Sequence, residues 1–170
     1  CALPIFLSAK KCNLCRSETD FLGHKISANG ISITDKHLKA VAEVNPPETR
    51  NELKRFLGMV NFNIKFVKNG SAILAPLYEL TSHKNDFNWT PKHQDAFATM
   101  KAELLKEPTL AHFQLGSKLL LCTDSSGKVV GATLYQYQGD ELKTIGYFSK
   151  ALQGPDLKRP MRMKELFALT

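Results

Sequence analysis

One segment, residues 49–67, constrains the fold more than any other part of the sequence. Thr49 and Glu52 form a T-x-x-E capping box, in which a hydroxyl and a carboxylate satisfy the unpaired N–H groups of a helix's first turn. Apolar residues then recur at spacings of three and four, which places them on one face of a helix: Leu53, Phe56, Leu57, Val60, Ile64 and Val67. The chain must therefore bury one side of a long helix.

A basic stripe lies on a different side of this predicted helix. It consists of Arg50, Asn51, Lys54, Gly58, Asn61, Lys65 and Lys68. A glycine in the middle of the stripe would let a phosphate backbone approach closely. Taken alone, the residues favour the plainer interpretation, in which these side chains only solvate an exposed face.

The segments around this helix predict a mixed α+β fold. Residues 21–26 and 31–33 are typical of strands joined by a tight Asn29-Gly30 turn, and an earlier turn is expected at residues 16–20. A short helix should follow Asp35 and end before Pro46. Further helices are expected at residues 72–80 and after Thr90-Pro91, then three short antiparallel strands at 119–123, 132–137 and 143–149, and a final helix near Met161.

Charge and cysteine content narrow the classes of function. The 170 residues carry a formal net charge of +7, and residues 1–85 hold twelve basic against seven acidic side chains, which favours a polyanionic partner for that half. No apolar run approaches the roughly 20 residues that span a bilayer, so no membrane partner is expected. Cys12 and Cys15 form a single C-x-x-C without a second pair at zinc-finger spacing, which favours reduced cysteines and an intracellular setting.

Two acidic residues stand at positions where a metal site could form. Asp124 closes the first of the three predicted strands, and Glu165 lies in the first turns of the last helix. Oxygen ligands of this kind suit Mg²⁺, but two carboxylates make only part of a two-metal site. By spacing alone, both are more simply explained as surface residues.

Six groups of residues, in the same order, resemble the reverse transcriptase–ribonuclease H region of Pol polyproteins from gypsy-type LTR retrotransposons and retroviruses. They are Phe21-Leu22-Gly23-His24 with Gly30-Ile31; Glu52-Leu53 with Arg55 to Gly58, Asn61-Phe62 and Phe66; Ala75-Pro76-Leu77; Trp89-Thr90 with Ala96-Phe97; Thr123-Asp124-Ser125; and Lys164-Glu165-Leu166. The resemblance runs over nearly the whole chain. It reverses the preference at the basic stripe, which is now expected to contact nucleic acid.

The resemblance implies four segments. Residues 1–33 would be the end of the polymerase palm, including a β-hairpin called the primer grip, and 34–85 the helical thumb. Residues 86–115 would form a connecting helix, and 116–170 the truncated start of an RNase H-like domain with three antiparallel strands and a helix. The chain would be a fragment of a longer protein, since the polymerase Y-x-D-D carboxylates and the later RNase H aspartates do not occur in it.

The resemblance also implies roles for individual residues. The expected nucleic-acid contacts are Phe21, Leu22, Gly23, Arg50, Lys54, Gly58, Asn61 and Lys65, and the expected catalytic metal ligands are Asp124 and Glu165. The cofactor would be two Mg²⁺ or Mn²⁺ ions, held with the help of residues outside this segment. The partners would be RNA–DNA hybrid, template–primer duplex, deoxynucleotides, and the protease and integrase regions of the same polyprotein.

The full-length protein would copy RNA into DNA and hydrolyse the RNA strand of the hybrid, and this segment alone would do neither. It is expected in the cytoplasm or in virus-like particles, with the nucleus as another location. Two alternatives stay open: a catalytically dead, domesticated module that binds nucleic acid, and a scaffold surface within a Pol assembly.

Overall fold

The structure, a computed structural model, describes residues 12–82, 86–126, 128–152 and 154–167. It begins with a small antiparallel sheet of β1 (Glu18–Phe21), β2 (His24–Ser27) and β3 (Gly30–Ile33), in that order. A tight turn lies where Asn29-Gly30 predicts one, but its two loop residues are Ala28-Asn29, because Ser27 pairs with Gly30. The expected earlier turn is wrong: the chain reverses at Leu22-Gly23, where both residues have positive φ (48° and 81°), as type I′ hairpin turns require.

The predicted helix from Thr49 is confirmed as α2 (Arg50–Asn63), which follows α1 (Asp35–Glu43). The Thr49 hydroxyl accepts a hydrogen bond from the N–H of Glu52 at 3.2 Å, and the Glu52 carboxylate accepts one from the N–H of Glu48 at 2.9 Å. The apolar face is buried at Leu53, Phe56, Leu57 and Val60. The helix ends earlier than its apolar period suggests, because residues 64–66 tighten into a 3-10 turn.

Two more helices complete the first half of the molecule: α3 (Gly70–Glu79) and α4 (Pro91–Leu105). One continuous hydrophobic core joins these elements. Its buried residues begin at Ile33, include side chains of α1 to α4 and end at Leu110. Ile31 and Leu110 also exchange backbone hydrogen bonds of 2.8 and 2.9 Å. The hairpin sheet, the helices and the segment after α4 are therefore packed as one unit.

The second half is an antiparallel sheet of β4 (Leu119–Ser125), β5 (Val129–Gln138) and β6 (Glu141–Ala151), followed by a 3-10 helix at Gly154–Lys158 and by α5 (Met161–Phe167). This confirms the α+β class and the three strands with a helix, although the strands are longer than predicted. None of the helices in the described ranges is both long enough and apolar enough to cross a membrane.

The second sheet is fastened to the first half at the start of α3. The N–H of Ser71 donates to the hydroxyl of Ser149, and the hydroxyl of Ser71 donates to the Ser149 carbonyl, both at 2.8 Å. Beside this pair, Asn69 lies so close to Gly131 that a Cβ there would be 2.9 Å from the Asn69 Oδ1. The face of the sheet that carries Gly131 and Ser149 is therefore turned toward the helices.

Candidate nucleic-acid interface and carboxylate pair

The basic stripe of α2 is largely open to solvent. Lys54, Gly58, Asn61 and Lys65 are all exposed. No other part of the described protein lies within 4 Å of the position that a Cβ on Gly58 would take. A phosphate backbone could therefore reach the helix surface between Lys54 and Asn61 without steric hindrance.

Arg50, the first residue of the stripe, is placed differently from the lysines. Its Nε donates a hydrogen bond of 3.2 Å to the carbonyl oxygen of Leu80, directly after α3. Its side chain is half-buried there, and this hydrogen bond joins the start of α2 to the end of α3. Whether Arg50 also contacts nucleic acid remains a prediction.

The tip of the β1–β2 hairpin packs against the same helix. Phe21 and Leu22 are 60% and 77% exposed, whereas a Cβ on Gly23 would stand 2.8 Å from the Phe62 ring. A depression of about 320 Å³ lies where the tip meets α2, and it is lined by Leu22, Gly23, His37, Met59, Phe62 and Asn63. The tip and the helix thus form one continuous surface, apolar at the hairpin and basic along the stripe.

Two histidines stand under this surface. His24 stacks on Phe62, and the edge of His37 meets the same ring. Both Nδ1 atoms are buried, and neither has a hydrogen-bond partner among the described residues. Burial lowers the pKa of His24, and the nearby Lys65 and His37 lower it further, which favours the neutral imidazole.

Sequence reasoning missed one residue of this surface, Tyr78. Its hydroxyl donates a hydrogen bond of 2.6 Å to the Oδ1 of Asn61, joining the last turns of α3 and α2. The two residues are 17 positions apart, so no local pattern indicates the contact. The only signal is that both carry polar groups near the ends of consecutive helices.

Asp124 and Glu165 lie on neighbouring elements. Both are exposed, and α5 contacts β4 where the hydroxyl of Ser125 meets the sulfur of Met161 at 3.4 Å. Asp124 pairs with Gly131, so its side chain is on the face of the sheet that is turned toward the helices. Ser125, the next residue, points to the opposite face, the one that Met161 of α5 contacts.

A small cleft of about 110 Å³ receives Asp124. Its lining includes Lys68 and Asn69 from the first half and does not include Glu165. The strand and the helix are therefore brought together, whereas the two carboxylates do not share this cleft. Their joint role as metal ligands remains a prediction.

The donor chemistry of these carboxylates suits a hard divalent cation. However, the described ranges contain no group of three or more His, Cys, Asp or Glu side chains that could hold a metal ion. The residues present do not fit a two-metal centre by themselves. Cys15 of the C-x-x-C is exposed.

Comparison with known proteins finds that the chain is similar to retroelement proteins. The model of the RNase H-like domain found in reverse transcriptase matches residues 89–170. The transposon Tf2-3 and Tf2-4 polyproteins of Schizosaccharomyces pombe are each 32% identical over 166 residues, which is 97% of this chain. The chain spans only 12% of the length of these relatives.

Solved structures extend the similarity to both halves of the chain. The foamy viral protease-reverse transcriptase in complex with RNA/DNA hybrid matches 94% of this chain with a TM-score of 0.78 and 30% identity, over 22% of its own length. The same protein in complex with dsDNA matches 94% with a TM-score of 0.78 and 30% identity, over 34% of its own length.

Proposed function

We propose that the chain is the part of a retroelement Pol polyprotein that grips a template–primer duplex, and its residues 89–170 match the model of the RNase H-like domain found in reverse transcriptase. The exposed lysine stripe of α2 beside the hairpin tip carries this proposal. It lies in a region that is similar, at 30% identity, to a reverse transcriptase solved with RNA/DNA hybrid.

The proposed contacts are to the sugar-phosphate backbone. Lys54 and Lys65 neutralise phosphates, Gly58 admits the strand close to the helix, and Asn61 donates to a backbone oxygen. Arg50 and the hairpin residues Phe21, Leu22 and Gly23 flank this track. Such contacts hold a duplex in place with little dependence on base sequence.

We propose that the chain contains four segments. Residues 1–33 are the end of the palm with the primer grip, of which 1–11 lie outside the described residues. Residues 34–85 are the thumb, 86–115 the connecting segment and 116–170 the first part of the RNase H-like domain.

The longer protein would copy RNA into DNA and cleave the RNA strand of the hybrid. In it, Asp124 and Glu165 are two of several carboxylates for Mg²⁺ or Mn²⁺, and other parts of the polyprotein complete the site. Deoxynucleotides are its substrates, protease and integrase regions belong to the same polyprotein, and it acts in the cytoplasm, in virus-like particles or in the nucleus.

One observation favours a second candidate function, a binding module without chemistry. Asp124 shares its cleft with Lys68, a cation that would compete with a metal ion for the carboxylate. In such a module the grip on the duplex would be retained and the carboxylates would be structural. Under both candidates the lysine stripe has the same task.

Titration of a fluorescent RNA–DNA hybrid with the purified chain, at several salt concentrations, tests the grip. We expect Lys54→Ala and Lys65→Ala each to weaken binding and to reduce the slope of log K against log salt by about one. Lys106→Ala is the matched control, because Lys106 is an exposed cation paired with Glu103 at the end of α4. Equal losses in all three variants would refute a specific interface on α2.

A further inference from the structure

We infer that Tyr78 is a positioning residue of the nucleic-acid interface, holding the Asn61 amide with its N–H groups turned toward the bound duplex. The inference rests on the proposed function. The contact that carries it is the 2.6 Å hydrogen bond from the Tyr78 hydroxyl to the Asn61 Oδ1. It joins Asn61, an exposed residue of the basic stripe, to Tyr78, which does not itself need to contact nucleic acid.

The chemistry of an amide explains why this bond matters. An asparagine side chain ends in an acceptor oxygen on one side and a donor NH₂ on the other, and it rotates easily between the two orientations. Phosphate oxygens bind only the NH₂ side, because a phosphodiester is an acceptor without hydrogens to donate. A donor fixed on the Oδ1 selects the productive orientation before the ligand arrives.

Asn61 is available for this role. Within the described part of the chain, its two Nδ2 hydrogens make no hydrogen bond, and its backbone is fixed because its carbonyl accepts from the N–H of Ile64 at the helix end. Lys65 follows one turn later on the same stripe. The amide donors therefore lie in the path that a phosphate chain between Gly58 and Lys65 would take.

Tyr78 is itself held in place by the end of α3. Its carbonyl oxygen accepts hydrogen bonds from the Thr81 hydroxyl at 2.7 Å and from the Thr81 N–H at 3.0 Å. The preceding residue, Leu77, is completely buried in the core that α3 shares with α2. The hydroxyl is thus presented from a rigid support, as a positioning group must be.

The test measures hybrid affinity and its salt dependence for Tyr78→Phe, Asn61→Ala and the double variant. We expect each single variant to bind roughly 2- to 10-fold more weakly, and the double variant no more weakly than Asn61→Ala, because the hydroxyl has nothing left to hold. The salt slope of Tyr78→Phe should equal that of the wild-type chain, since no charge is removed. Tyr137→Phe is the control, because Tyr137 is 44% exposed on β5 and makes no described hydrogen bond through its hydroxyl.

The outcomes separate the inference from the function on which it rests. If the lysine variants weaken binding while Tyr78→Phe binds like the wild-type chain, the positioning role is refuted and the grip on the duplex stands. If Tyr78→Phe weakens binding by the same factor in the wild-type chain and in Asn61→Ala, the tyrosine acts on the ligand directly and the inference is again refuted. If the wild-type chain shows no salt-dependent binding at all, the proposed function itself fails. Thermal unfolding of each variant confirms that an affinity change is measured on folded protein.

Discussion

The imidazole of His24 stacks on the ring of Phe62, with 4.9 Å between the ring centroids and 13° between the planes. This contact fastens the hairpin to α2, the helix that carries the basic stripe. His37 meets the edge of the same ring at 5.5 Å, so one half-exposed phenylalanine is held by two histidines from different elements. Much of the alignment between hairpin tip and helix therefore depends on Phe62.

We expect Phe62→Ala to destabilise the protein by about 1–2 kcal/mol, because it removes the stacked pair and part of the buried ring surface. Urea denaturation measures the loss. Phe113→Ala is a matched control, since Phe113 is 53% exposed against 48% for Phe62 and has no ring partner in the described ranges. Similar losses in both variants would contradict the fastening role.

The same contact predicts a pH dependence of stability. The pKa of His24 is lowered first by burial and then by Lys65 and His37, so the folded state resists protonation. Just below the ordinary histidine pKa the unfolded chain binds more protons than the folded chain, and the free energy of unfolding therefore falls as the pH drops. The contribution of His24 to the free energy of unfolding is fully present above about pH 6.5.

Urea denaturation at about pH 7.5 and pH 5.5 tests this expectation on the wild-type chain and on His24→Asn. The variant should lose less stability on acidification. Some loss should remain, because burial also lowers the pKa of His93, whose Nδ1 accepts the N–H of Thr90 at the start of α4. An unchanged pH dependence in the variant would show that His24 does not contribute.

Gly23 tests how closely the hairpin tip approaches α2. Gly23→Ala places a methyl group 2.8 Å from the Phe62 ring and 3.2 Å from His37, at a φ of +81° that an L-residue adopts only at a cost. Gly139→Ala is the control, because Gly139 has a φ of +64° and open space around it. Both substitutions place an L-residue in the left-handed backbone region, which costs about 1–2 kcal/mol. A larger loss of unfolding free energy at Gly23 therefore isolates the contact with Phe62.

Sequence patterns predicted the local parts of this architecture well. The capping box at Thr49 and the proline at the start of α4 act within a few residues, and the structure confirms both. The turn expected at Asn29-Gly30 forms one residue earlier, at Ala28-Asn29. The turn at Leu22-Gly23 was missed, because leucine rarely adopts a positive φ and gives no turn signal.

The candidate site was less predictable, because it depends on packing between distant segments. The Tyr78–Asn61 bond exists only because α2 and α3 share a core. The bonds between Ser71 and Ser149 and the close approach of Asn69 to Gly131 turn the face that carries Asp124 toward the helices. No residue spacing reveals these contacts. Placement on a strand or helix could be predicted, whereas convergence of side chains could not.

The serine pair between the two halves gives a further prediction. Ser149→Ala removes the acceptor of the Ser71 N–H, which is buried at the start of α3, and should cost about 1–2 kcal/mol of unfolding free energy. Ser32→Ala, at a half-buried serine of β3 that makes no described side-chain hydrogen bond, should cost less. Chemical denaturation compares the two, and equal effects would argue against a specific link between the halves.

The isolated chain should bind an RNA–DNA hybrid without cutting it, even with Mg²⁺ or Mn²⁺ present. Two-metal hydrolysis of a phosphodiester needs several carboxylates around ions that are about 3.5–4 Å apart. The described residues provide no group of three ligands, and Asp124 occupies a cleft with Lys68 that Glu165 does not line. Incubation with an end-labelled hybrid, followed by separation of the strands on a denaturing gel, measures cleavage, and Asp124→Asn serves as the comparison. Cleavage by the wild-type chain that Asp124→Asn abolishes would show that a working metal centre assembles within these residues, and the incomplete-site argument would then be wrong.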